Sequence, residues 1–172
     1  MLGLKRGAVA LCPHEKAWET EAELTMARLR QILGPVAVKM AHVGSTAIPT
    51  IQAKPIIDIA VAVDDFDALL AYEKQLRAAG FYYRPNAQAE VRGQLLFASG
   101  SYYDGTGDLQ THFIHIVRTG SVDWQNYILF RDYLRTHPDA AGEYERLKLA
   151  LAAKLPTDSG RVDYVQGKQS FI

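Results

Sequence analysis

The sequence predicts an α/β fold in the broad sense that includes α+β, with strands flanked by helices and a helical hairpin at the C-terminal end. Three observations predict it. Apolar residues recur near a 3.6-residue period between Glu15 and Leu33, the mark of an amphipathic helix. The run Ile56 to Val63 is apolar throughout except for Asp58, as expected of a strand covered on both faces. Two further helical patterns follow Ser121. A chain of 172 residues suits one domain, expected to span 1–172, able to bury roughly 70% of its unfolded surface without disulfides or structural metals.

The first helix turns Trp18, Ala22, Met26, Leu29 and Leu33 inward, and Gly34-Pro35 stops it. Val36 to Val43 is short, β-branched and closed by Gly44, which reads as a strand entering a Gly-Ser turn. Pro49 prevents a long helix after that turn. In the strand Ile56–Val63, alternation places Ile56, Asp58 and Ala60 on one face. Asp64-Asp65 ends it, and Phe66 to Ala79 reads as a helix closed by Gly80. Phe81–Tyr83, Gln94–Ser99 and Leu109–Val117 read as strands, the last two forming a hairpin whose tip is the Asp104–Asp108 cluster. Ser121 or Asp123 caps a helix through Trp124, Tyr127, Ile128, Arg131 and Leu134. Pro138 suits the first turn of another helix, reaching Leu155. Thr157 to Gly160 is a loop, followed by a tail that carries Arg161, Tyr164, Lys168 and Phe171.

Nineteen Lys and Arg balance nineteen Asp and Glu, so no bulk field favours nucleic acid or a membrane surface. The single Cys12 makes no internal disulfide and carries no nucleophile signature. No apolar run approaches the ~18 residues of a membrane span, and Met1 to Val9 lacks the pattern of a signal peptide, so the cytoplasm is the expected compartment. Neither Gly-x-x-x-x-Gly-Lys-Ser/Thr nor Gly-x-Gly-x-x-Gly occurs, which disfavours a P-loop kinase and a dinucleotide-binding Rossmann domain.

The segment His42-Val43-Gly44-Ser45-Thr46-Ala47-Ile48-Pro49 places a turn of the phosphate-binding type just ahead of Asp58. Gly44 lets backbone N–H groups approach an anion, and the Ser45 hydroxyl adds a donor. Asp58, a carboxylate in an apolar strand, must be paired, neutral or bound to a cation. Lys54 or an arginine is a candidate structural partner, and a metal ion is the functional one. His112 and His115 lie three apart on a predicted strand, so they point to opposite faces and do not chelate one ion, leaving either one as a candidate for the site. Lys54, Arg84, Arg92, Arg161 and Lys168 are candidate cations for a triphosphate, and Lys54, Arg92 and Lys168 are taken forward.

Taken with Ala53-Lys54-Pro55-Ile56-Ile57-Asp58-Ile59, Thr111-His112-Phe113-Ile114-His115 and Phe130-Arg131-Asp132-Tyr133-Leu134-Arg135-Thr136-His137-Pro138, the chain resembles the GrpB-like proteins. They are a branch of the nucleotidyltransferase superfamily that also occurs fused to some dephospho-CoA kinases. The resemblance covers nearly the whole chain. It implies a nucleotidyltransferase-like mixed β-sheet core with flanking helices. It also implies transfer of a nucleotidyl group from a nucleoside triphosphate to a small-molecule acceptor. In that chemistry Gly44, Ser45 and Thr46 bind phosphate, Asp58 holds Mg²⁺, and His112 or His115 completes the site. Two departures stand out: the superfamily's Asp-x-Asp or Asp-x-Glu is here Asp58-Ile59-Ala60, and the glycine usual after the proline is replaced by Thr50. The missing carboxylate leaves a second implication open, a nucleotide- or phosphometabolite-binding module without turnover.

Overall fold

The computed structural model describes residues 1–85, 93–168 and 171. A two-residue strand β1 (Leu4–Lys5) precedes helix α1 (Ala17–Leu33). A 3₁₀ turn, Gly34–Val36, leads into β2 (Lys39–Val43), and a second, Ser45–Ala47, follows Gly44 before β3 (Ile57–Val63). Then come α2 (Phe66–Leu70), α3 (Glu73–Ala78), β4 (Tyr82–Tyr83), β5 (Leu95–Ser99), the short helix α4 (Ser101–Asp104), β6 (Leu109–Gln110) and β7 (His112–Arg118). Three helices close the chain: α5 (Val122–Thr136), α6 (Pro138–Lys154) and α7 (Arg161–Lys168).

Five strands form one sheet in the order β2-β3-β7-β5-β4. β3 and β7 run parallel while the other neighbours are antiparallel, so the sheet is mixed, as the family resemblance implied. Its two faces have different occupants. Ile57, Ile59, Val61 and Val63 of β3 meet Trp18, Leu29 and Leu33 of α1 in the main core. Full burial of each such aliphatic side chain contributes about 1.5–3 kcal/mol. On the opposite face, Ala41, Val43 and Ala60 pack beneath Trp124, Tyr127 and Ile128 of α5. These small residues bring α5 close to the sheet, and its N-terminal turn is capped by Ser121, whose Oγ accepts the Trp124 N–H at 3.2 Å.

Four expectations change in detail. The helix foreseen over Phe66–Ala79 is two helices, because the backbone leaves helical geometry at Tyr72 (φ −94°, ψ 5°), whose ring packs against the main core. The strand foreseen over Leu109–Val117 divides at Thr111: β6 pairs with β1 in a separate small sheet, and β7 enters the main one. The β5–β7 hairpin therefore carries α4 and β6 rather than a simple tip. The tail contains α7, where Arg161, Tyr164 and Lys168 fall on one helical stripe at i, i+3 and i+7.

His112 belongs to the core side of the sheet. Its Nε2 lies 3.2 Å from both Glu21 Oε1 and Thr25 Oγ1 on α1, and its Nδ1 lies 2.9 Å from Thr111 Oγ1. This corrects its candidacy as a catalytic group, since the side chain fastens α1 to β7 and points away from Asp58. Replacement of His112 by alanine removes the buried cross-link from β7 to Glu21 and Thr25 of α1, and chemical denaturation should report a loss of about 1–3 kcal/mol with ligand binding unchanged.

Candidate functional site

β2 and β3 run antiparallel with Val43 opposite Asp58, so the chain leaving β2 turns directly over the carboxylate. Gly44 makes that turn at φ +70°, ψ −170°, a conformation that side chains with a Cβ resist. The contact itself also demands glycine: a Cβ here would meet Asp58 Oδ2 at 2.6 Å. The 3₁₀ turn Ser45–Ala47 begins immediately afterwards, leaving its first N–H groups without partners inside the turn.

The turn is tied down from below by His42 and Thr46. Thr46 Oγ1 donates to the Ile56 carbonyl at 3.3 Å, and His42 Nε2 lies 3.0 Å from the same hydroxyl. The hydroxyl's only proton goes to Ile56, so the network assigns Nε2–H of His42 as the donor to Thr46. Thr46 lines the cavity, yet its hydroxyl is committed to this brace and its contribution to the site is rigidity. Burial holds the His42 imidazole down to about 4.

Asp58 pairs with a histidine rather than with Lys54. His115 Nε2 lies 3.1 Å from Asp58 Oδ1, with the two side chains 22% and 29% exposed. Ala60 is the sheet neighbour of His115, so the imidazole rises beside the position where a second carboxylate would stand. The ring of Tyr127 lies 5.2 Å from that of His115 on its other side, and the Tyr127 hydroxyl donates to Gln94 Oε1 at 3.2 Å.

The cations come from the loop before β3 and from α7. Lys54 Nζ stands 4.1 Å over the ring of Tyr164, and Lys168 Nζ lies 5.1 Å from the same ring centroid. Arg161 lies 5.0 Å over Phe113 and donates to Gln110 Oε1. Burial, with Arg161 and Lys168 next in effect, pulls the Lys54 ammonium down to about 7. Among the described residues Lys54 has no carboxylate within ion-pair distance.

Gly44, Ser45, Lys54, Asp58, His115 and Lys168 thus face one cavity of about 680 Å³. Arg161 joins them, whereas Arg92 falls outside the described residues. Sequence reasoning missed the α5 wall, formed by Asp123, Asn126, Tyr127 and Phe130. Its signal is the i, i+4, i+7 stripe of Asp123, Tyr127 and Phe130. A larger and more open hollow, about 1020 Å³, lies between α1, β2 and α5. It contains none of the residues just named, so size does not identify the site.

The donor set fits a single Mg²⁺. Asp58 Oδ1 is engaged by His115, leaving Oδ2 as a hard oxygen ligand, and no group of three His, Cys, Asp or Glu residues suited to a metal occurs among the described residues. One carboxylate suits an ion that keeps several waters and takes its remaining ligands from phosphate; it does not build a two-metal cage.

This arrangement belongs to a known class of fold. The poly(U) polymerase Cid1, solved with MgGTP bound, matches 80% of this chain and 42% of its own with a TM-score of 0.51 and 15% identity, a likeness of fold. The chain has a nucleotidyltransferase-like fold. Its family is closer at hand: the family model described as GrpB protein matches residues 8–172, and the chain belongs to that family. The solved structure of the conserved protein GrpB from Enterococcus faecalis is 25% identical, with a TM-score of 0.74 over 94% of this chain and 96% of that one. The UPF0157 protein YqkA of Bacillus subtilis is 34% identical over 164 residues. The match covers 95% of this chain but 45% of YqkA, so the chain spans less than half of that relative. No helix among the described residues is long and apolar enough to cross a membrane.

The brace under the turn has a pH signature. His42 and His112 both resist protonation when folded, through burial, whereas the unfolded chain takes up protons near 6.5. Their stabilising effect is complete above that value and is lost as pH falls below it, in the case of His42 through about 4. Thermal unfolding should show a midpoint that declines across this window, with a shallower slope in His42→Gln.

Proposed function

We propose that the cleft binds a nucleoside triphosphate and transfers its nucleotidyl group to a small acceptor, with Mg²⁺ held on Asp58. The observation that carries this reading is the convergence of a glycine-serine turn, a half-exposed carboxylate and three cations on one cavity. The turn N–H groups and the Ser45 hydroxyl take phosphate oxygens, as backbone amides do wherever glycine lets an anion approach closely. Lys54, Arg161 and Lys168 neutralise the charge of the leaving pyrophosphate. Mg²⁺, when bound, neutralises phosphate charge and polarises the phosphoryl group. His115 donates Nε2–H to Asp58, which leaves Nδ1 as the basic nitrogen for the acceptor hydroxyl proton. The acceptor oxygen then bonds to the α-phosphorus as the bond to pyrophosphate breaks. The fold shared with Cid1, a protein solved with MgGTP, supports a nucleotide as ligand class.

Ala60 supports a second reading, a nucleotide- or phosphometabolite-binding module that has the cleft without the chemistry. The two readings separate by calorimetric titration of ATP, CTP, GTP and UTP with and without Mg²⁺, followed by an acceptor screen. Transfer predicts metal-dependent binding that Asp58→Ala weakens, and turnover that the same change lowers by about 100-fold or more. Binding without turnover in any acceptor mixture assigns the module. Binding that ignores both Mg²⁺ and Asp58 overturns the metal site.

Lys54 adds a pH dependence of known sign. Its amine is neutral above about 7 and cationic below, so anion binding strengthens as pH falls through that value. The affinity ratio of wild type to Lys54→Met for a triphosphate should therefore rise between pH 8.5 and 6. A ratio independent of pH removes Lys54 from the anion site.

A further inference from the structure

Beside the cleft, around β4 and α4, lies a smaller hollow of about 360 Å³ walled by tyrosine rings and arginine forks. The rings of Tyr82 and Tyr103 lie 21° from parallel with centroids 6.5 Å apart, and Tyr102 meets Tyr103 edge-on at 5.0 Å. Arg84 sits 5.1 Å over Tyr103, Arg77 lies 5.7 Å from Tyr82, and Arg6 stands 4.8 Å over Tyr102. Three guanidinium forks thus meet three tyrosine rings within one patch. All three arginines are exposed residues, and among the described residues Glu73 is the lone carboxylate residue lining the hollow. Planar faces next to guanidinium forks match a ligand that is itself a flat ring carrying an anion.

The hollow is aligned with the cleft by the sheet. Tyr82 is in register with Ala98, Ala98 with Phe113, and Phe113 with Asp58. Side chains in register share a face, so Tyr82 stands on the Asp58 face three strands away, or about 14 Å. One row further on, the Arg84 N–H bonds to the Leu96 carbonyl at 2.7 Å, and Leu96 is in register with His115. A polar chain links the two hollows: Arg161 Nη1 donates to Gln110 Oε1, and Gln110 Nε2 donates to the Tyr103 hydroxyl oxygen. The cation that lines the cleft thus shares a buried glutamine with the tyrosine that lines the second hollow.

We propose that this second hollow binds one nucleotide unit, base against Tyr82 and Tyr103 and phosphate on Arg77 and Arg84, and that it seats the acceptor of the transfer. The acceptor role rests on the reading of the cleft given above; the binding site does not. In that role a hydroxyl of the seated nucleotide forms the new bond to the α-phosphorus of the triphosphate, pyrophosphate leaves, and the hydroxyl proton goes to His115. The same chemistry is offered by a free mononucleotide and by the terminal nucleotide of a single strand. The balanced overall charge suits recognition of one unit rather than a long phosphate track.

The test is titration of the whole chain with AMP and, separately, with single-stranded hexaadenylate, followed by tyrosine fluorescence and by NMR. Four variants are compared: Arg77→Ala/Arg84→Ala, Tyr82→Ala, Tyr82→Phe and Asp58→Ala. Expected is binding of at least one probe by wild type, weakened about tenfold or more by the arginine pair and by Tyr82→Ala. Tyr82→Phe and Asp58→Ala should retain it, and ATP binding should stay within about twofold in the arginine variant, whose changes are on exposed side chains. Tighter binding of hexaadenylate than AMP identifies a strand end as the source; equal binding identifies the free nucleotide. No binding of either probe, or binding that ignores Arg77, Arg84 and Tyr82, overturns the proposal. If AMP depends on these residues while no triphosphate binds the cleft, the second site stands and the acceptor role falls with the reading of the cleft.

Discussion

The contact between Gly44 and the Asp58 carboxylate is the constraint on which the site depends. A backbone at φ +70° lies against Oδ2 with no room for a Cβ, so the anion-binding turn and the carboxylate are held at fixed separation by main chain rather than by side-chain rotamers. The sheet register places Val43 opposite Asp58, and the His42–Thr46–Ile56 chain prevents the turn from lifting away. Two opposing demands meet there. The turn offers partial positive charge to a phosphate, while the carboxylate beside it repels one. A cation between them resolves the conflict, and His115 resolves half of it by engaging Oδ1.

The opposite wall of the cleft is strained in the other direction. Lys54 and Lys168 share the face of one buried tyrosine, Arg161 stands nearby, and among the described residues none of the three forms an ion pair. Burial is the larger cause of the lowered Lys54 affinity for its proton, and the like charges of Arg161 and Lys168 in the same partly desolvated space add to it. In the proposed function a polyanion relieves that repulsion and gains binding free energy by doing so. α7 exists because it serves this wall. Its sequence contains Gly167 and two valines, weak helix formers, and its order derives from seating Tyr164 in the interior and Arg161 over Phe113.

That dependence on tertiary contacts explains what could be read in the chain beforehand. Period and punctuation marked α1, β2, β3, α5 and α6 because each carries a long pattern or a cap of its own. Asp58 announced itself as a charge in an apolar strand, and Gly44-Ser45 as a turn with room for an anion. The order of α7 is supplied by its neighbours, β1 is two residues long, and the break at Tyr72 follows from packing, so none had a local signature. His115 could be narrowed to one of two, since a three-residue spacing on a strand sends the pair to opposite faces; only the register with β3 says which one meets Asp58. Arg161 stood among the candidate cations with nothing in its spacing to select it, because its place is fixed by Gln110 and Phe113 from distant parts of the chain.

The pairing of a histidine with the single carboxylate has a consequence for how the site uses metal. Two carboxylates side by side repel each other and need a cation at all times, either a proton or a metal ion. With Ala60 in place of the second acid and an imidazole in register beside it, the Asp58 charge is met by a hydrogen bond from the protein itself. In the proposed transfer, Mg²⁺ is needed when a polyphosphate brings more negative charge to the cleft than Lys54, Arg161 and Lys168 neutralise. In the proposed function metal and nucleotide bind together, each raising the affinity for the other, because the coupling resides in the ligand's charge rather than in a preformed metal cage.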